Sequence, residues 1–174
     1  MIETDPRHVS TEEEFVELFK EQFKFVYNYI YYHVGNVADS EDLTADVFVR
    51  AYAGRSSYCP YKGSRGAWLG GIARNIVRTH FKNKAKMPQI TELPESIHAD
   101  TDTENEYLRK ELLRHVFAQM DKLPGRQREL LTMKYLLCLT NREIAQTMGM
   151  SESNVGVALH RAIKKLQKNL VSII

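Results

Sequence analysis

Apolar residues in the first half of the chain recur every three or four positions, a spacing typical of amphipathic α-helices. A capping box at residues 11–14 predicts a first helix that runs to about His33. A second helix is predicted to begin at Asp39 or Ser40, and a third near Ala67. The intervening stretch 53–66 is rich in Gly, Ser and Pro and is predicted to be a loop.

Helical periodicity resumes near residue 105 and ends in a pair of short helices joined by a tight turn. A second capping box begins at Thr140, Gly149 fits a left-handed turn residue, and Ser151 caps the next helix. The apolar positions of that last helix form a narrow stripe at Val155, Leu159, Ala162 and Leu166. These features together predict a helix-turn-helix. Strand alternation is absent, so the fold class is predicted to be all-α, in two small helical domains.

Charge divides the same chain into three parts, although the net charge is only +2. Residues 73–86 hold five Lys or Arg and no acid, whereas residues 89–106 hold six Asp or Glu and no Lys or Arg. From residue 109 onwards, 12 Lys or Arg face 5 Asp or Glu. We therefore predict an N-terminal domain at 1–87, a flexible acidic linker at 88–106 and a basic C-terminal domain at 107–174. Two basic modules on a tether suggest nucleic-acid binding.

The third helix carries the first candidate DNA-binding surface. Arg74, Arg78 and Lys82 are four residues apart and share one helix face, opposite the apolar stripe. Their cationic groups suit phosphates, and Asn75 beside them suits a base edge. The preceding loop adds Tyr58 and Tyr61 as platforms for an unstacked base, with Lys62 and Arg65 nearby. A solvated basic face is the alternative interpretation.

The second candidate surface is the outward face of the last helix. Its polar and basic members are Ser153, Asn154, His160, Arg161 and Lys164. Gly156 and Val157 stand between them, where a side chain that contacts DNA is expected. A plain helical hairpin is the alternative interpretation of this motif.

Acidic residues crowd the start of the second helix, at Asp39, Glu41, Asp42 and Asp46. The spacing of a calcium-binding loop is absent, so no metal is predicted. An acidic patch beside an apolar stripe suits a protein partner with a basic surface. Helix capping and solubility alone are the alternative explanation.

We recognise no catalytic motif in this sequence, which lacks a phosphate-binding glycine loop, a zinc-protease helix and a nucleophile elbow. We predict no catalytic activity, cofactor or small-molecule substrate. Cys59 and Cys138 are far apart and are expected to be reduced thiols. No signal peptide or membrane-spanning run is recognised, which predicts a cytoplasmic protein.

Three ordered stretches, "SEDLTADVFVRAY", "AWLGGIARNIVRTHF" and the segment from "LPGRQRELL" to "HRAIKKL", resemble the sigma-70 family of bacterial RNA polymerase sigma factors. The short length and the direct joining of two helical parts resemble the extracytoplasmic-function (ECF) subgroup. The resemblance implies a transcription initiation factor that binds core RNA polymerase and promoter DNA. It also implies regulation by an anti-sigma factor, which is often membrane-bound.

The resemblance also implies roles for particular residues. The clamp helices of core polymerase would contact Asp39, Glu41, Asp42, Asp46 and Arg50, and the flap would contact the C-terminal domain. The loop and third helix would recognise and help melt the −10 element, through Tyr58, Tyr61, Lys62, Arg65, Arg74, Asn75, Arg78 and Lys82. The last helix would read the −35 element through Ser153, Asn154, His160, Arg161 and Lys164.

Two positions depart from the family pattern. A polar pair is usual where this chain has Ala45 and Asp46, so the clamp contact is expected to rest on the acids. A Lys or Arg followed by Ser is common where this chain has Gly156 and Val157, so −35 contacts are expected to shift to the neighbouring polar residues. Two other functions remain open at this point: a stand-alone helix-turn-helix regulator, and a sigma-fold module that only binds a protein.

Overall fold

The computed structural model describes the backbone of residues 11–83 and 103–171, and the side chains of residues 11–82 and 111–171. These residues form α1 (Glu12–Val34), α2 (Val37–Gly54), α3 (Arg65–Asn83), α4 (Thr103–Asp121), α5 (Gly125–Tyr135), α6 (Asn141–Met148) and α7 (Glu152–Val171). One turn of 3-10 helix, Arg55–Ser57, follows α2. No strand occurs among the described residues, which confirms the all-α prediction.

The N-terminal domain consists of α1, α2 and α3, each packed against the other two. The capping box predicted for α1 is confirmed, because Thr11 and Glu14 exchange hydrogen bonds of 2.9 and 3.2 Å. The helix ends at Gly35, whose φ of 79° is the left-handed conformation that glycine tolerates best. The apolar stripes of the three helices then meet in a common core that includes Leu18, Ile30, Val47, Ala51 and Leu69.

The predicted cap of α2 was wrong by three or four residues. Asn36, not Asp39 or Ser40, caps the helix, and its side chain accepts a hydrogen bond of 2.8 Å from the Asp39 N–H. The chain turns at Gly35 in a single residue, so α2 begins at once instead of after a longer loop. The start of α3 was also misplaced, since the helix begins at Arg65 instead of Ala67.

The C-terminal domain consists of α4 to α7, with α7 packed against the other three helices. Its helix-turn-helix has the predicted local geometry. Thr140 and Glu143 form the capping box of α6, Gly149 is left-handed with φ 64°, and the Ser151 hydroxyl accepts a hydrogen bond from the Asn154 N–H. Of the predicted stripe, Val155, Leu159 and Ala162 are buried and Leu166 is partly buried.

The two domains pack directly against each other through an interface that we call the interdomain interface. Leu137 and Leu139, in the turn between α5 and α6, are buried against α3, where Gly70 leaves room for them. A Cβ atom at Gly70 would lie only 3.0 Å from the Leu137 Cδ1 atom. At the other end of the interface the rings of Tyr32 and Phe117 meet at 5.0 Å. The buried cores of both domains therefore form one continuous cluster.

The predicted acidic linker falls mostly outside the described residues. Of residues 88–106, only 103–106 are described, and their backbone belongs to α4. The flexibility predicted for the linker, and the domain boundaries that depend on it, stay predictions.

Candidate nucleic-acid and polymerase interfaces

The predicted acidic patch lies at the beginning of α2 and is mostly open to solvent. Glu41, Asp42 and Asp46 are exposed, and so is Arg50 one turn further on. Asp39 is different, because its carboxylate accepts a hydrogen bond of 3.0 Å from the Asn36 side chain and lies 4.0 Å from a His80 ring nitrogen of α3. Among the described residues, three of the four predicted acids thus form no such hydrogen bond or ion pair, whereas Asp39 also stabilises the first turn of α2.

An aromatic surface beside this patch was missed by the sequence reading. Phe19 and Phe23 of α1 pack against each other and against Phe48 of α2, yet they remain 40% and 38% exposed. Tyr27 continues the same row but is buried, and its pKa is raised by burial and by the nearby Glu41 carboxylate. Phe19 lies at one of the helically spaced apolar positions of α1, which predicts a buried side chain. Helical spacing identifies a face, but it does not tell how much of that face a neighbouring helix covers.

The two tyrosines of the predicted −10 loop differ in exposure. Tyr61 is 84% exposed, as a base-stacking platform requires. Tyr58 is only 5% exposed, since its ring packs 5.0 Å from Trp68 and its hydroxyl donates to the Gly63 carbonyl. In this structure Tyr58 therefore supports the loop from within. Lys62 is exposed, and Arg65 is paired with Glu21 at 3.8 Å.

The predicted basic ridge of α3 is real as a helix face, but its members differ in environment. Asn75, Arg78 and Lys82 are exposed. Arg74 instead donates a hydrogen bond of 2.6 Å from Nε to the Glu129 carboxylate of α5. Both side chains of this ion pair are largely covered, at 19% and 23% exposure. The structure thus separates Arg74 from the three residues with which the sequence had grouped it.

The cleft around this ion pair is strongly basic. It has a volume of about 410 Å³ and lies between α3 and α5. Its charged lining consists of Arg74, Arg78, Lys82, Arg128 and Glu129. Glu129 is therefore the one carboxylate among four cationic side chains in the described lining, a position that no local sequence pattern marks.

Two further polar contacts cross the interdomain interface. The Ser64 N–H, just before α3, donates to the Glu143 carboxylate at 3.1 Å. Partial burial alone would raise the pKa of Glu143, but hydrogen bonds from Ser64 and Thr140 outweigh it and hold that pKa below its ordinary value. Glu143, the N3 residue of the α6 capping box, thus also accepts a hydrogen bond from the end of the predicted −10 loop. Near α4, the Tyr32 hydroxyl donates to Asp121 at 3.0 Å.

His33 lies at the same interface and is partly buried. Its ring packs 4.7 Å from Tyr29 and 5.1 Å from Tyr32, and one ring nitrogen lies 3.4 Å from the Thr132 hydroxyl of α5. Burial, aided by the Arg128 charge, lowers the pKa of His33 to about 3. The imidazole is therefore neutral at physiological pH.

The predicted reading face of α7 is fully presented to solvent. All five of its predicted residues are exposed: Ser153, Asn154, His160, Arg161 and Lys164. Val157 is 47% exposed within the same face. Gly156 is partly covered, and a Cβ there would meet the Asn141 side chain of α6 at 3.8 Å, an ordinary contact distance. Gly156 thus faces α6, the first helix of the motif.

Three surfaces therefore lie on separate parts of the molecule: an acidic patch bordered by aromatic rings on α1 and α2, a basic ridge on α3, and a polar and basic reading face on α7. None of the described helices combines the length and apolarity that a membrane span requires. The arrangement defines an all-helical, two-domain protein with a helix-turn-helix in its second domain.

Comparison with known families identifies that arrangement. Sigma-70 region 2 matches residues 18–87, and sigma-70 region 4 matches residues 115–166. The chain belongs to the sigma-70 family, within the ECF subgroup, a family of promoter-recognising transcription initiation factors. The resemblance read from the sequence is thereby confirmed.

Individual relatives agree with this assignment. The chain is 31% identical over 158 residues to the ECF sigma factor BldN of Streptomyces coelicolor, an alignment that covers 90% of this chain but 60% of BldN. It is 27% identical to the sigma factor YlaC of Bacillus subtilis, over 88% of this chain and 90% of YlaC.

Solved structures share the fold. CnrH, determined with the cytosolic domain of CnrY, has a TM-score of 0.68 at 21% identity and covers 94% of this chain, which in turn covers 91% of CnrH. RpoE of Bartonella quintana, determined with the anti-sigma factor NepR, has a TM-score of 0.72 at 16% identity. The match covers 91% of this chain and 97% of RpoE.

Proposed function

We propose that this chain directs core RNA polymerase to promoters, with the acidic patch on polymerase, the basic ridge at the −10 element and the reading face at the −35 element. The observation that carries this proposal is the separation of the two DNA-facing surfaces, one on each domain, from an acidic surface that would repel DNA. Such a division suits a protein that binds a large partner and two DNA sites at once. It would act in the cytoplasm, without catalytic chemistry of its own.

The polymerase surface would combine charge with apolar contact area. Glu41, Asp42 and Asp46 supply negative charge for a basic helical partner. Phe19 and Phe23 beside them supply exposed aromatic rings, which interfaces favour as centres of binding energy. We assign the clamp helices of core polymerase to this composite surface, and the polymerase flap to the C-terminal domain.

The DNA contacts would use the residues that remain exposed. Arg78 and Lys82 suit phosphates and Asn75 suits a base edge, while Tyr61 offers a ring to an unstacked base. On α7, Arg161 and the polar side chains before it would enter the major groove as the second helix of a helix-turn-helix does. Each domain alone is small, so joining both to polymerase would raise the effective concentration at each DNA site.

An anti-sigma factor is proposed as the regulator. CnrH and the RpoE of Bartonella quintana, which share this fold, were each determined with a partner protein, and the partner of RpoE is described as an anti-sigma factor. The acidic patch and its aromatic border provide a surface that such a partner would compete for with polymerase.

Run-off transcription with core polymerase, with and without the chain, over a library of promoters tests the proposal. We expect new specific transcripts that depend on the chain, and their absence would refute the proposed function. A footprint on duplex DNA without polymerase would favour the stand-alone regulator instead.

Two substitutions assign the surfaces within that assay. Arg78→Ala should abolish −10 function and keep core binding, whereas Asp42→Arg should abolish core binding. Lys20→Ala and Glu17→Arg are the matched controls, because both residues are exposed on α1 and neither belongs to the three surfaces. If Arg78→Ala weakened core binding instead, the ridge would have been assigned to the wrong partner.

A further inference from the structure

We propose that Glu129 holds the free chain closed by occupying Arg74 where a DNA phosphate would otherwise bind, so that the chain inhibits itself until its domains separate. The DNA role of Arg74 rests on the proposed function. The closure itself rests only on contacts between the two domains.

The closed arrangement is too small to engage a promoter at both sites. A compact chain of 174 residues has a radius of gyration of about 16 Å and hence a diameter of about 40 Å. The −10 and −35 elements are separated by roughly 25 base pairs, or roughly 85 Å of helix axis at 3.4 Å per pair. Duplex DNA is stiff over about 150 base pairs, so it cannot fold back to close that gap cheaply. The domains must therefore separate before both surfaces bind.

The ion pair between Arg74 and Glu129 is placed to control that separation. The distance from Arg74 Nε to the Glu129 carboxylate is 2.6 Å, and both side chains are largely covered. Glu129 offers Arg74 the same charged oxygen acceptor that a DNA phosphate offers. The Nε–H of Arg74 points to α5 and the side chain is only 19% exposed, so the closed chain offers little of this guanidinium to a DNA phosphate.

Glu129 is surrounded by cationic side chains from both domains, so its negative charge stabilises the closed arrangement. Arg74, Arg78, Lys82 and Arg128 line the same cleft. Arg128 is also paired with Asp121 at 3.2 Å, but no described acid pairs with Arg78 or Lys82. Loss of the Glu129 charge would leave four cations facing one another across the two domains, and their repulsion would favour separation.

Closure also restrains the two DNA-binding motifs directly. The Ser64 N–H at the end of the proposed −10 loop donates a hydrogen bond to Glu143, which with Thr140 forms the capping box of the helix-turn-helix. Leu137 fills the space that Gly70 leaves on α3. The same interface that occupies Arg74 therefore fixes the −10 loop against the −35 module, and opening would release both together.

Small-angle X-ray scattering of the full chain tests the closure without DNA or polymerase. We expect Glu129→Lys to raise the radius of gyration above the compact value of about 16 Å. Glu111→Lys is the matched control, because it makes the same charge change on a residue whose side chain is 43% exposed and whose ion pairs stay within α4. Unchanged helical content by circular dichroism would show that the domains separated without unfolding. A compact Glu129→Lys variant would overturn the proposal.

A second pair of variants opens the interface by volume instead of charge. Gly70→Leu places a side chain where even a Cβ would lie 3.0 Å from Leu137, whereas a Cβ at Gly71 would meet nothing within 4 Å, which makes Gly71→Leu the matched control. We expect only Gly70→Leu to expand the molecule. If Gly70→Leu expanded it but Glu129→Lys did not, apolar packing alone would close the domains and the role given to Glu129 would be wrong.

DNA binding then separates this proposal from the proposed function. A fluorescein-labelled 30-base-pair duplex is titrated with each variant and followed by anisotropy. We expect Glu129→Lys and Gly70→Leu to bind about fivefold or more tightly than their controls, in the range usual for coupled sites. Expansion without a gain in affinity would leave the closure established and would refute the DNA role of the ridge.

Discussion

The basic ridge of α3 and the reading face of α7 look alike in the sequence, as polar and basic residues opposite an apolar stripe, but the fold treats them differently. Every predicted residue of the reading face is exposed. On the ridge, Arg74 is drawn into an ion pair with the other domain, while Arg78 and Lys82 remain exposed. The difference teaches that a basic helix face near a domain boundary can be partly taken up by contacts with the other domain, whereas a helix face at the periphery stays exposed.

The largest expected effect comes from the apolar part of the interdomain interface. Leu137→Ala should lower the free energy of unfolding by about 2–5 kcal/mol, because it deletes a buried side chain and leaves a cavity against α3. Chemical denaturation followed by circular dichroism measures the loss. Leu112→Ala, at a leucine that is 62% exposed, should change stability by less than about 0.5 kcal/mol. Equal losses at both positions would mean that Leu137 contributes no interface packing.

The next largest effect is a pH dependence of the free energy of unfolding, which arises on the side of the molecule that carries the basic ridge. The His33 pKa is about 3 in the folded chain and about 6.5 when exposed. Between these values the unfolded or opened chain binds a proton that the closed chain does not, so stability falls as pH falls below 6.5. Lowering the pH from 6.5 to 5 should cost about 2 kcal/mol through this residue.

Equilibrium denaturation of the chain and of His33→Gln, at both pH values, isolates this contribution. The variant should lose most of the pH dependence attributable to the imidazole, whereas substitution of the exposed His160 by Gln should leave it intact. A His33→Gln variant with the full pH dependence would place its origin in other groups, such as carboxylates that titrate below pH 5.

A smaller effect of opposite sign is expected within the helix-turn-helix. Gly156→Ala should stabilise the chain by up to about 1 kcal/mol, since alanine favours the helix interior and the added Cβ meets Asn141 at an ordinary distance of 3.8 Å. Gly149→Ala, in the left-handed turn of the same motif, should destabilise by about 1 kcal/mol. Thermal melts of the two variants should move in opposite directions. A destabilised Gly156→Ala variant would show that α7 needs glycine for its packing on α6.

The smallest effect on stability, and a large one on function, is expected on the reading face. Asn154→Ala should change the free energy of unfolding by less than about 0.5 kcal/mol, because the side chain is exposed and only its backbone N–H holds the Ser151 cap. It should nevertheless lose discrimination between −35 sequences in run-off transcription. Retained −35 preference would show that another face of α7 reads the DNA.

Local rules were enough where the relevant contacts lie close together in the chain. The capping boxes at Thr11 and Thr140 and the left-handed Gly149 follow from residue types at fixed short spacing, and all three were predicted correctly. The start of α2 was mistaken because Asn36 and Asp39 are both good caps, and only the abrupt turn at Gly35 selects the first.

Surface assignments were less complete, since exposure depends on what the rest of the chain covers. Tyr58 and Tyr61 have similar loop contexts, but Trp68 covers only the first of them. Phe19 fits the apolar stripe of α1, yet it stays 40% exposed although it packs against Phe48 of α2. Periodicity gives the direction of a side chain from the helix axis and no more.

The sequence by itself determined the helices, the turn of the helix-turn-helix and the family, because these depend on neighbours within a few residues or on ordered motifs. Only the tertiary structure decided that the two domains close on each other. Arg74 and Glu129 are 55 residues apart, and Gly70 and Leu137 are further apart still, so neither contact leaves a trace in local spacing. Their pairing follows from how two cores join into one, and this joining divides the ridge into a covered arginine and an exposed remainder.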